Sequence, residues 1–176
     1  STTMNMSKND NILYHGATIQ VAEPLTHVGR SAVDFGPGFY VTNDKEQAIN
    51  WSVTKASRHR NSKAIVNVYS IDMEEFLEDN KYKVKIFPEY NIEWLNFIAH
   101  SRKQQKPWLG YDWIEGGIAN DHVISTVDAY IDGFMTAEMA MDKLVNERLH
   151  HQICISNQEI IDRYIRFVKS FEVETK

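Results

Sequence analysis

The sequence predicts an α+β fold in which strands and helices are intermixed and do not strictly alternate. Three observations predict it. Short runs of alternating or β-branched residues recur along the chain, and AIVNVYSI at 64–71 is the clearest of them. Apolar residues at helical spacing follow capping residues, as between Asn43 and Ala56. Some predicted strands succeed one another with no helix between, an order that a doubly wound parallel sheet does not produce.

The first strand is expected at Asn11 to Tyr14, running into a tight turn at His15-Gly16. The stretch to Asp34 is irregular, with Pro24 and Gly29 as breakers. In FGPGFYVT at 35–42, two glycines permit close backbone approach, and the aromatic and β-branched residues after them predict a strand. Asn43 is the expected N-cap of the next helix, with Glu46 as its capping-box partner and an end near His59. After the strand at 64–71, a short helix is expected from Asp72 to Glu78 and a strand from Tyr82 to Phe87, closed by Pro88. Ile92 to His100 reads as a helix with Trp94, Leu95, Phe97 and Ile98 inward, followed by a polar loop from Ser101 to Gly110. Strands are expected at Tyr111 to Ile118 and at His122 to Thr126, around the Gly116-Gly117 break. Asp128 to Phe134 reads as a short helix or an irregular turn. Thr136 caps a helix running to Asn146, His151 to Ser156 is a strand, and Gln158 to about Phe171 is a final helix.

At 176 residues, with 43% hydrophobic and 24% charged, the chain fits one domain with one core. Residues 1–10 are expected to form a poorly ordered tail and 11–176 the domain. The single cysteine, Cys154, cannot form an internal bridge and has no CxxC or Cys/His spacing around it, which disfavours disulfide and metal readings. No apolar run approaches the roughly 20 residues of a membrane span, and a cytoplasmic location is expected. A net charge of -5 excludes a global cationic field for nucleic acid. Two basic stretches remain: Lys55, Arg58, His59, Arg60 and Lys63, and then Arg102, Lys103 and Lys106 beside Trp108. Each reads as a solvated helix end or loop, or as a docking surface for a nucleic acid or acidic partner with Trp108 as an exposed aromatic.

Five blocks in order carry a resemblance: LYHGA at 13–17, DFGPGFYVTNDKEQAINW at 34–51, IVNVYSID at 65–72, YDWIEGGIAND at 111–121 and HHQICISN at 150–157. Together they resemble the ADP-ribosyltransferase superfamily, in the branch whose motif is His, Tyr, then Glu or a substitute, and within it a bacterial family of uncharacterised domains. The resemblance runs from Ile12 to about Phe167. It implies a split β-sandwich with an NAD cleft between two antiparallel sheets, flanked by helices.

The resemblance also implies roles. His15 hydrogen-bonds the adenosine ribose, the backbone of Gly16 holds the nicotinamide carboxamide, and Tyr40, with Phe39 beside it, stacks on the nicotinamide ring. Gln152 takes the third motif position, against the nicotinamide ribose hydroxyls. Strand alternation puts Gln152 and Cys154 on one face, expected to line the cleft, and Ile153 and Ile155 on the core face. Gln152 departs from the usual Glu: it can hydrogen-bond but supplies neither negative charge nor a base. His150, His151, Asp112 and Asp121 are the candidates for acid/base help, and His150 shares the parity of Gln152. Arg30 is a candidate contact for the NAD pyrophosphate; with Asp34 it reads equally well as an exposed surface pair.

The function so implied is an NAD-dependent mono-ADP-ribosyltransferase that uses NAD as donor and no metal. It would be a toxin of a toxin-antitoxin or phage-defence module, with a macromolecular target and an antitoxin protein as partners. Two alternatives share the pocket: an NAD glycohydrolase, and a degenerate module that binds NAD or ADP-ribose without catalysis.

Overall fold

Two alternating runs far apart in the chain, AIVNVYSI and the C-terminal IRFVKSFEV, pair along their whole length and frame the molecule. The computed structural model describes residues 6, 7, 9–28 and 34–174. It is a mixed α+β fold, and among the described residues seven strands form two sheets. The strands are β1 (Ile12–Ala17), β2 (Phe39–Val41), β3 (Ala64–Ile71), β4 (Val84–Ile86), β5 (Trp113–Gly117), β6 (His151–Ile155) and β7 (Ile165–Val173). The helices are α1 (Lys45–Ser57), α2 (Met73–Asp79), α3 (Ile92–Arg102), α4 (Asp121–Ile131), α5 (Ala137–Leu144) and α6 (Gln158–Tyr164). One sheet has the order β1-β3-β7 and the other β2-β6-β5-β4.

The buried side chains explain the layering. Leu13, Tyr69 and Ile71 of the three-stranded sheet meet Phe39, Val41, Trp113, Ile153 and Ile155 of the four-stranded sheet in one core between the sheets. On the far side of the three-stranded sheet, Val66 and Val68 pack under Ala48 of α1. Beyond the four-stranded sheet, Ile114 and Cys154 pack with Trp94, Leu95 and Ile98 of α3, Val123 and Val127 of α4, and Ala140 and Leu144 of α5. Both sheets are therefore covered on both faces. Each large aromatic in these cores buries roughly 200 Å², about 5 kcal/mol of gross transfer free energy at about 25 cal/mol per Å².

Several sequence expectations are corrected. β1 does not turn at His15-Gly16; it runs on to Ala17, paired with Ile65. The N-cap of α1 is Asp44, whose carboxylate accepts from the amides of Glu46 and Gln47, one residue after the expected Asn43. His122 to Thr126 is helical. Asn120 caps α4 by accepting from the His122 and Val123 amides, and Val123, Thr126 and Val127 are buried at helical spacing, so tertiary burial overrides the β-branched propensity. The last helix stops at Tyr164, because the residues from Ile165 pair with β3 from Ile71 to Ala64. The two sheets are not both purely antiparallel. β4 lies parallel to β5, since α3 and the loop after it provide the long crossover that a parallel pair needs. Trp108, expected to be exposed, is half-buried: a Cβ on Gly36 would lie 2.4 Å from its ring, and Gly36 has φ +85°. Met6, in the segment read as a tail, is buried in the inter-sheet core. No helix among the described residues is long and apolar enough to cross a membrane.

Candidate functional site

The three motif strands are neighbours. β1 meets β2 at a single antiparallel bridge, where Tyr14 and Thr42 exchange two backbone hydrogen bonds of 2.8 and 2.9 Å. Extending that ladder by two residues would pair Gly16 with Tyr40. Side chains take those carbonyls instead. The Tyr40 carbonyl accepts from His15 Nδ1 at 2.6 Å, and the Gly16 carbonyl accepts from Lys55 Nζ at 2.7 Å. β2 then pairs on its other edge with β6, Tyr40 opposite Cys154. The sheets thus part beside Gly16, and strand alternation aims its amide and carbonyl toward the parting. Gly16 must be glycine for a second reason: a Cβ there would sit 2.3 Å from the Ala48 carbonyl oxygen of α1.

The bond to Tyr40 fixes the state of His15. A carbonyl only accepts, so Nδ1 carries the proton and Nε2 is left as an acceptor. Burial, and then the charge of Lys55, lower the pKa of this half-buried imidazole to about 3, against the raising effect of the Tyr40 bond. The ring is neutral at physiological pH. It lies against Phe39, with centroids 4.5 Å apart.

Alternation along β2 sends Phe39 and Val41 into the inter-sheet core and Tyr40 to the helical side. The half-buried Tyr40 hydroxyl donates to the Gly36 carbonyl at 2.6 Å and accepts from the Phe35 amide at 3.1 Å, which closes the loop before β2. Burial, and then neighbouring Cys154, raise its pKa, so the hydroxyl stays protonated. Burial likewise pushes the Cys154 thiol up to about 12, and the group is inert as a nucleophile near neutral pH.

Gln152 is on the same side, where sequence alternation expected a cleft. That face lies under the helical layer, and the residue is 4% exposed. Its Nε2 donates to Asp34 Oδ2 at 3.1 Å and to the Gly117 carbonyl at 3.2 Å. Asp34 Oδ2 also accepts from the Ala119 amide at 2.9 Å, and Arg102 lies 3.8 Å from Oδ1. Asp34 is therefore not an exposed surface residue. Burial raises its pKa, against the lowering effects of Ala119, Gln152 and Arg102. His15, Gly16, Phe39 and Tyr40 thus meet at the parting of the sheets. Gln152 is one strand further, linked to Tyr40 through the Asp34–Gly36 loop. Open depressions of about 390 and 480 Å³ share Asp10 and Asn11, and neither is lined by His15, Tyr40 or Gln152.

The acid/base candidates scatter. Asp112 accepts from the Lys83 amide at 2.8 Å and from Asn157 Nδ2 at 3.3 Å, a clamp at the opposite end of β5 from the Gly116–Gln152 pair. Asp121 is the exposed first residue of α4, where a negative charge suits the helix dipole. His150 is half-buried. Its carbonyl accepts from Ile118 at 2.8 Å, extending the β5–β6 ladder by one residue, so alternation keeps it on the side of Gln152. His151 faces the other way, into the inter-sheet core. Asn43's amide donates to its Nδ1 at 3.3 Å, so Nε2 carries the proton and donates to Glu115 Oε2 at 2.8 Å. Arg30 lies outside the described residues. Among those described, no group of three or more His, Cys, Asp or Glu side chains could hold a metal ion.

Sequence reasoning passed over Glu115 and the pairing of Asp34. Glu115 had a signal: an acid between apolar residues inside WIEGG, on a strand whose neighbours are all buried. Asp34 had none, because its partner stands 118 residues away.

Comparison with known proteins adds a single finding. The family model described as "Protein of unknown function (DUF3990)" matches residues 11–167. No curated protein and no solved structure matches the chain.

Proposed function

This chain belongs to the DUF3990 family, and from that premise we propose that it binds NAD and transfers its ADP-ribose group to a macromolecular target, releasing nicotinamide. The fold reading that goes with it is an ADP-ribosyltransferase-like split β-sandwich, and the parting of β1 from β2 after one bridge supports it. The observation that carries the proposal is the state of that parting. A neutral imidazole whose acceptor nitrogen has no hydrogen-bond partner among the described residues suits a ribose hydroxyl, and the Gly16 amide, beside a carbonyl that keeps a second lone pair next to its Lys55 bond, suits a carboxamide, which needs one donor and one acceptor. Tyr40, two strand positions from the bridge, supplies a ring. Offset stacking of such rings contributes about 1 kcal/mol beyond burial. A toxin of a toxin-antitoxin or phage-defence module remains the role that the sequence resemblance implies.

One observation favours a second reading, binding of NAD or ADP-ribose without turnover: Gln152 is uncharged and its amide nitrogen is already engaged twice. Incubating the chain with labelled NAD, alone and with cell lysate, separates the readings. Transfer gives nicotinamide and a labelled macromolecule only with lysate. Hydrolysis gives free ADP-ribose without it, and a binding module gives neither. Tyr40→Ala is expected to abolish both nicotinamide release and label; full labelling by that variant contradicts the site assignment.

A further inference from the structure

Breaking the bond between ribose C1′ and the nicotinamide nitrogen sends its electron pair away with nicotinamide, which leaves neutral, and passes the positive charge to the ribose ring. A negative group beside that ring stabilises it. As the acceptor oxygen or nitrogen bonds to C1′, a base must take the acceptor's proton. Gln152 can do neither.

We propose that Asp34 is the carboxylate of this site, held against Gln152 so that the two residues together do what one acidic side chain on β6 would do. The proposal rests on the NAD reading above. Asp34 reaches Gln152 Nε2 at 3.1 Å from a loop whose next residue, Phe35, donates its amide to the Tyr40 hydroxyl at 3.1 Å. It is thereby tied to both motif positions on the helical side. Its side chain is 13% exposed, and its one ion pair among the described residues is loose: Arg102 is 3.8 Å away and 39% exposed. The carboxylate is thus largely desolvated, and no described residue neutralises it at contact distance. Burial also raises its proton affinity, which suits a group that receives a proton. No other acid candidate is so placed. Asp112 is clamped at the other end of β5, Asp121 is exposed, and Glu115 faces the inter-sheet core, where His151 holds it.

The bland alternative is that Asp34 merely latches its loop to Ala119 and Gln152. The geometry separates the two roles, because both latch bonds fall on the same oxygen, Oδ2. An asparagine with its amide oxygen in that place keeps both bonds and loses the charge. Thermal unfolding, NAD binding by calorimetry and nicotinamide release in the presence of cell lysate are measured for the wild type, Asp34→Asn and the double variant Asp34→Asn/Gln152→Glu. Asp34→Asn is expected to fold and bind NAD as the wild type does while release falls by a factor of about 100 or more. The double variant, which returns one carboxylate to the pair from the β6 side, is expected to recover a factor of about 10 or more. An active wild type matched in rate by Asp34→Asn, or a double variant no faster than the single one, overturns the role of Asp34 alone. A wild type that releases no nicotinamide even with cell lysate present overturns the transfer reading, and this proposal with it.

Discussion

Each face of the four-stranded sheet buries a carboxylate against a β6 side chain, and the two pairs are built differently. Glu115, 1% exposed, stands on a strand and accepts from His151 Nε2, Trp113 Nε1 and the Met6 amide. Asp34 stands on a loop, accepts two hydrogen bonds on one oxygen, and among the described residues meets only a distant, half-exposed guanidinium. The first pair is satisfied and rigid, which is how a buried polar group adds specificity to a core. The second is under-neutralised and close to the parting of the sheets, which is how a group stays chemically available. Two acids on opposite faces of one sheet can thus serve stability and chemistry separately, and burial and the number of donors tell them apart.

The largest expected effect comes from the structural pair. Glu115→Ala strands three buried donors and should cost roughly 3–5 kcal/mol of unfolding free energy, read by urea denaturation. A loss below about 1 kcal/mol would erase the contrast between the faces. Gly16→Ala should cost about 1–3 kcal/mol, because its Cβ meets the α1 backbone, which cannot give way as a flexible side chain can. Thr42→Val removes the Thr42 Oγ1 contact to His151 Nδ1 and the bond that Oγ1 accepts from the Asp44 amide, but leaves the Asn43 amide on Nδ1, so about 1–2 kcal/mol is expected.

Protons give subtler tests. The pKa of Asp34 is raised on folding, so its contribution to stability is fullest below the ordinary carboxylate range and fades as pH rises through the raised value. Asp34→Asn removes that dependence. Its stability relative to the wild type should therefore increase with pH across that window in thermal unfolding scans. His15 runs the opposite way. With its pKa lowered from 6.5 to about 3, its contribution is complete above pH 6.5 and lost as the pH falls toward 3. His15→Gln should flatten that acid limb. An unchanged acid limb would mean that the imidazole is not held neutral by burial.

What the sequence disclosed follows the range of the forces involved. β3 is found to the residue because eight alternating residues state their own period. The Thr136 cap is equally local: its hydroxyl accepts from the Met139 amide. His122 to Thr126 misleads because local propensity favours a strand, while burial of Val123 and Val127 under the neighbouring helices decides for α4. The end of α6 misleads because Ile165 and Val168 continue the helical spacing of Ile161, and only the distant β3 recruits the residues from Ile165 onward into a strand. In the site, motif order points to His15, Tyr40 and Gln152, and parity gives the face of Gln152. That α3–α5 cover this face, and that Asp34 arrives from across the chain, are tertiary facts with no local signature.

The most direct test of the central claim is a calorimetric titration of NAD into the wild type, Tyr40→Phe and Tyr40→Ala, with unfolding temperatures recorded alongside. Tyr40→Phe loses the loop hydrogen bonds but keeps the ring. Binding by the wild type and Tyr40→Phe, with loss of binding in a folded Tyr40→Ala, is the result predicted here. No binding by the wild type, or equal affinity in all three, would contradict a nicotinamide site at the parting of the sheets.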